Sequence, residues 1–186
     1  GTTIMIRAIL IDVGGPILDE EADFIEADRI LASLIQREGI DVGDDAFQAA
    51  RRHAIDTYSP SYNSATIWQF VAPDMDRFRR IRADLTTELR RMRTAPTIRP
   101  DARDVLVKLT SNFNVVLAGN QPREVRAALD EGGIADVCTD VLLSDDFGVF
   151  KPDTRFFLTA LSAAGVTAQE AIMVGDRLDN DIYPAN

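Results

Sequence analysis

The chain has 186 residues, a mass of 20.5 kDa and a formal net charge of −10, from 30 acidic and 20 basic side chains. Its 46% hydrophobic and 27% charged content matches an ordinary globular protein and excludes disordered and fibrous classes. The acidic balance argues against nucleic acid as a partner, the lack of any apolar run near ~20 residues argues against a membrane span, and the single cysteine, Cys138, excludes an internal disulfide framework and a cysteine-based zinc site. The expectation is a cytoplasmic protein with no nucleic-acid and no membrane partner.

The first apolar run, Ile6 to Val13, is short, rich in β-branched residues and stopped by Gly14-Gly15-Pro16. It reads as a buried strand that ends in a tight loop. From about Leu18 to Pro100 no strand pattern occurs. Phe24, Ala27, Leu31, Leu34 and Ile35 repeat at helical spacing up to Gly39. Further helices are expected from Asp44 to Tyr58, breaking at Ser59-Pro60, then from Ser64 to Ala72 and from Asp74 to Arg93. After that, helix and strand alternate. Asp101 to Leu109 reads as a helix, Val115 to Ala118 as a strand, Pro122 to Leu129 as a helix, Val141 to Leu143 as a strand, Asp153 to Ala164 as a helix and Ala171 to Val174 as a strand. This order predicts an α/β fold: a Rossmann-like parallel sheet core with an inserted α-helical segment. The core is expected at residues 1–18 and 97–186, and the helical insert at 19–96.

In an open parallel sheet, ligands bind beyond the carboxyl ends of the strands. The first strand ends at Asp12 and the second at Gly119-Asn120. The turn after the third leads to Lys151, and the fourth ends at Gly175-Asp176, with Asp179 and Asp181 following. Carboxylates, one lysine and loop amides at one sheet edge suit Mg2+ holding a phosphate.

In sequence order, these residues resemble the haloacid dehalogenase-like hydrolase superfamily. Its first motif, an apolar strand and then Asp-x-Asp-Gly-Thr-Leu, is read here as Asp12-Val13-Gly14-Gly15-Pro16-Ile17. Its second, a strand ending in Ser or Thr and often Asn, is read as Leu117-Ala118-Gly119-Asn120. Gly148 to Asp153 match Gly-x-x-Lys-Pro-Asp, and Gly175-Asp176 with Asp181 match Gly-Asp-x-x-x-x-Asp. The resemblance implies a phosphatase acting on a small phosphorylated metabolite, with the helical insert as the family's cap. Asp12 would be the nucleophile that forms an aspartyl-phosphate. Mg2+ would bind Asp12, the backbone carbonyl of Gly14, Asp176 and Asp181. Lys151 would neutralise phosphoryl charge. Val13, Gly14, Gly119 and Asn120 would cradle the phosphoryl oxygens. The resemblance also implies a monomer or homodimer. Family members usually continue past this point into another helix, a strand and a final helix, so either the chain is truncated after Asn186 or the core is minimal; truncation would leave a sheet edge exposed.

Two substitutions depart from the family pattern. The aspartate that protonates the leaving group is Gly14, and the phosphate-binding Ser or Thr is Gly119. Pro16 also replaces the usual Thr. Loss of the acid is worth about 10²–10⁴-fold in rate. The alternative readings are a different hydrolase of the superfamily, such as a dehalogenase, and a weakly catalytic or non-catalytic phosphometabolite-binding protein. His53, the only histidine, could donate the missing proton or be merely structural. Tyr58, Tyr62, Asn63 and Trp68 could line a substrate pocket or pack between helices. Arg77, Arg79, Arg80, Arg82, Arg90, Arg91 and Arg93 make the fourth insert helix basic, either as a solvated face or as an attractor of anionic substrate.

Overall fold

The structure, a computed structural model, describes residues 5–59, 61–92 and 95–186. Pro60 and Arg93, named in the sequence reading, lie outside the described residues. Two compact units form: Gly1–Glu20 with Ala95–Asn186, and Glu21–Thr94. No described helix is long and apolar enough to cross a membrane.

The first unit is built on a four-stranded parallel sheet of order β3-β2-β1-β4, with β1 Ala8–Ile11, β2 Asn114–Gly119, β3 Asp140–Leu143 and β4 Ala171–Val174. In β1, residues 8–11 pair with 114–117 of β2 on one side and 171–174 of β4 on the other. Every residue of β1 is buried, and β2 is buried from Val115 onward. Strands covered on both faces need apolar residues at every position, and this is why they read as continuous runs. Ile9, Ile11, Val115 and Leu117 enter one core layer with Leu106 and Leu129 of the helices α5 (Ala102–Thr110) and α6 (Val125–Glu131). Ala8, Leu10, Val116 and Ala118 enter another, with Phe156, Ala160 and Ala164 of α8 (Thr154–Ala164). The Asp153 side chain caps α8 by accepting from the Arg155 amide, and Gly165 ends that helix at φ 66°. β4 lies at the sheet edge and leaves Ile172 and Val174 partly exposed.

The second unit is helical: α1 Glu21–Arg37, α2 Asp44–Asp56, α3 Tyr62–Val71 and α4 Met75–Arg91. Leu31, Leu34, Ile35, Phe47, Ile67, Ile81 and Leu85 form its core. Phe24, expected on the packed face of α1, is exposed instead, as is Ile25. The α4 arginines are largely paired within this unit. Arg80 donates to both carboxylate oxygens of Glu38, at 3.1 and 2.7 Å, while Arg79 pairs with Asp76 and Arg91 with Glu88. Trp68 meets Phe78 edge-on at 5.7 Å, a packing contact within the unit. Two details of the first unit were not foreseen. Helix α6 begins at Val125 rather than at Pro122, and a short helix, α7 (Ser144–Phe147), follows β3 directly.

Candidate active site

The carboxyl ends of β1, β2 and β4 and the loop before α8 bring Asp12, Asn120, Lys151 and Asp176 to one sheet edge, where Asp181 joins them. Lys151 is 4% exposed, and its Nζ lies 2.8 Å from Asp12 Oδ1 and 2.5 Å from Asp181 Oδ1. Asp12 Oδ1 also accepts the Val13 amide at 2.7 Å. The second oxygen of Asp181 accepts the Arg177 amide at 3.1 Å. A single π-helical turn, Leu178–Ile182, carries Asp181 back into the interior; such turns recur at functional sites. Asp179, the other acid of this turn, points elsewhere and is held by the Arg177 guanidinium.

Among the described residues, Asp12, Asp176 and Asp181 each offer a carboxylate oxygen, and these oxygens lie within 4.8 Å of one another. Such convergence has an electrostatic cost. Burial pushes the Asp12 carboxyl up to about 6; the Lys151 charge pulls it down and the Asp181 charge pushes it further up. Burial likewise raises Asp176, with Asp181 adding to the effect. One lysine against three carboxylates leaves negative charge uncompensated. An all-oxygen donor set of this kind fits a hard divalent cation such as Mg2+.

The glycines around this cluster make the close approaches possible. Gly15 turns the chain at φ 82°, and a Cβ there would meet Asp176 Oδ2 at 2.8 Å. A Cβ on Gly175 would run into the Asp181 carboxylate. Gly119 has a steric reason of its own: a Cβ there would lie 2.7 Å from Val13 Cβ and Cγ2. The fully buried Val13 side chain thus fills the space a Ser or Thr would need. Asn120 spends its amide on the lysine loop. Its Nδ2 donates to the Lys151 carbonyl at 2.8 Å, and its Oδ1 accepts the Lys151 amide at 2.7 Å.

Three polar residues here were not foreseen. Arg99 Nε donates to the Gly15 carbonyl at 2.5 Å. Gln121 Nε2 donates to Glu20 Oε1 at 3.1 Å, and Glu20 Oε2 lies 2.6 Å from where a Cβ on Gly14 would stand. No periodicity or motif marks these residues, because the contacts join positions 84 and 101 apart in the chain. His53 belongs to the helical unit, on α2.

Comparison with known proteins gives the family and the fold. One match, 42% identical over 89 residues, is a glyceraldehyde 3-phosphate phosphatase of Pyrococcus abyssi; it covers 46% of this chain and 37% of that protein. The chain spans less than half the length of the curated relatives it matches. In fold it is similar to a HAD phosphatase from Thermococcus onnurineus (TM-score 0.55, 23% identity, 97% of this chain and 81% of that one). It is equally similar to a 2-haloacid dehalogenase from Pseudomonas syringae (TM-score 0.54, 24% identity, 97% and 82%). Fold alone therefore does not separate the two chemistries. Residues 6–186 match the family profile described as haloacid dehalogenase-like hydrolase. With its sheet, its lysine and its acidic strand ends in the family's order, the chain belongs to the haloacid dehalogenase-like hydrolases.

Proposed function

We propose that this protein is an Mg2+-dependent phosphatase of a small phosphorylated metabolite, with Asp12 as nucleophile. The observation that carries the reading is the convergence of Asp12, Asp176 and Asp181 around buried Lys151. A dehalogenase has little need of a metal, so the Asp176 and Asp181 carboxylates favour the phosphatase. The Pyrococcus relative, a phosphatase of a three-carbon phosphate, points the same way.

In this reading Asp12, Asp176, Asp181 and the Gly14 carbonyl hold the cation. When bound, it supplies charge neutralisation for the incoming phosphate and the converging carboxylates. Asp12 attacks phosphorus through a carboxylate oxygen and becomes the aspartyl-phosphate that water then cleaves. Lys151 holds Asp12 ionised and stabilises charge on the phosphoryl oxygens. Asn120 positions Lys151 by clamping its backbone, and the backbone of Val13, Gly14 and Gly119 cradles the phosphoryl oxygens. The helical unit acts as the cap that selects the substrate, and the protein works in the cytoplasm.

A phosphatase screen with Mg2+, wild type beside Asp12→Asn, tests this. The expected outcome is release of phosphate from a small metabolite ester by the wild type only. Turnover that survives Asp12→Asn sinks the nucleophile assignment. Binding of phosphate esters without turnover by the wild type favours the binding-protein reading.

A further inference from the structure

Glycine at position 14 removes the side chain that would give a proton to the leaving group and later take one from water. The space it vacates is filled. A Cβ built on Gly14 would lie 2.6 Å from Glu20 Oε2 and 3.2 Å from Glu20 Cδ. That is about the reach of an aspartate's own carboxylate oxygen from its Cβ. An acid oxygen therefore stands beside position 14, at about the distance from its Cβ that the carboxylate of an acid there would span, with Gln121 Nε2 3.0 Å from the same point. We infer that Glu20, held by Gln121, is the general acid and base of this enzyme, replacing the residue lost at Gly14. The inference rests on the phosphatase reading of Asp12 and adds the proton donor that the reading lacks.

Two features of the fold support the assignment. The loop after β1 doubles back on itself: Ile17 and Leu18 donate their amides to the Val13 carbonyl at 3.1 and 2.9 Å, and Gly15 donates to the Leu18 carbonyl at 3.1 Å. Leu18 is buried and bridges to both Gly14 and Ile98, and Asp19 donates its amide to the Thr97 carbonyl at 2.8 Å. Glu20 is thereby returned over Gly14 by backbone contacts within one compact unit. Gln121, two residues past the end of β2, donates to Glu20 Oε1, and Glu20 Oε2 is the atom nearest the Gly14 position. The absence of a side chain at 14 and the presence of Glu20 are one arrangement, since a side chain at 14 would need the Glu20 carboxylate to move.

The chemistry balances in two steps. As an Asp12 carboxylate oxygen bonds to phosphorus, the phosphorus–oxygen bond to the leaving group breaks. The Glu20 carboxyl proton passes to the departing oxygen, which leaves as an alcohol. Water then attacks the phosphorus of the aspartyl-phosphate and gives a proton to the Glu20 carboxylate. The bond to Asp12 breaks, returning its carboxylate and releasing inorganic phosphate.

Leaving-group dependence in the full-length Glu20→Gln variant is the test. Glutamine keeps the shape and the Gln121 contact but has no proton to exchange. With glycerol 2-phosphate, an alkyl ester, steady-state turnover should fall by about 10²–10⁴-fold. With p-nitrophenyl phosphate the first step needs no acid. The variant should then release nitrophenolate in a burst of one equivalent per enzyme, followed by slow turnover as the unassisted aspartyl-phosphate hydrolyses. Moving the acid, by Gly14→Asp in a Glu20→Ala background, should restore alkyl-ester turnover that Glu20→Ala alone lacks. Unchanged alkyl-ester turnover in Glu20→Gln overturns the inference. So does a loss that is equal on both esters with no burst, which is what a merely structural residue would give. A leaving-group-dependent loss in His53→Gln instead assigns the proton to the helical unit and overturns it too. A burst that persists in Asp12→Asn, or a wild type inactive on both esters, is different: either result fails the phosphatase reading itself.

Discussion

Asp12 is asked to be both buried and ionised, and those demands oppose each other. Its carboxyl is pushed from 3.8 up to about 6, burial being the largest cause. In the metal-free protein the folded state therefore holds a proton that the unfolded chain releases. Stability falls as pH rises from about 4 to about 6, and above that the full cost is present. Asp12→Asn should melt with the wild type near pH 4 and at a higher temperature at pH 7, both measured without metal by thermal denaturation. The substitution that removes the proposed nucleophile should thus stabilise the fold. Lys151 is the opposite case. Its Nζ bridges Asp12 and Asp181, with the side chain almost fully buried. Lys151→Met leaves those carboxylates facing each other and should cost about 3–5 kcal/mol in urea unfolding at neutral pH. Gly175→Ala tests the close approach beneath the site, because its Cβ would land on the Asp181 carboxylate. Displacing a supporting carboxylate should weaken Mg2+ affinity by about 10–100-fold, read by isothermal titration.

At the scale of elements, residue pattern and structure coincide where burial is uniform and diverge where it is not. β1 and β2 are covered on both faces, so their apolar runs are unambiguous. Phe24 belongs to the apolar pattern of α1 but sits exposed near its start, and spacing alone does not say which apolar residue finds a partner. Helix α7 has four residues, too few for any helical period to show. The two cores are separate sets of side chains, and each carries its own unit. Leu117→Ala in β2 and Ile35→Ala in α1 both truncate fully buried residues and should each cost about 2–5 kcal/mol. Hydrogen exchange should place the first loss in the sheet amides and the second in the helices α1 to α4.

For the molecule as a whole, with a net charge of −10 and three carboxylates gathered at one strand edge, a cation bound there would stabilise the fold. Mg2+ at about 100 times its dissociation constant should stabilise the wild type by about 2.7 kcal/mol. Asp176→Asn should blunt that gain, and chelation should remove phosphatase turnover together with it. Residue order was enough for the architecture and for Asp12, Lys151, Asp176 and Asp181 as a group, because strand ends in a parallel sheet must meet at one edge. It also marked Gly14 and Gly119 as departures but offered no reason for either. The reasons are contacts that the folded loops bring together. Val13 fills the space beside Gly119, Asn120 grips the backbone of Lys151, and Glu20 with Gln121 occupies the place vacated at Gly14. Periodicity and spacing report only along the chain. Which side chain fills a neighbour's missing volume depends on how the loops fold back, and that becomes visible only once the strands are paired.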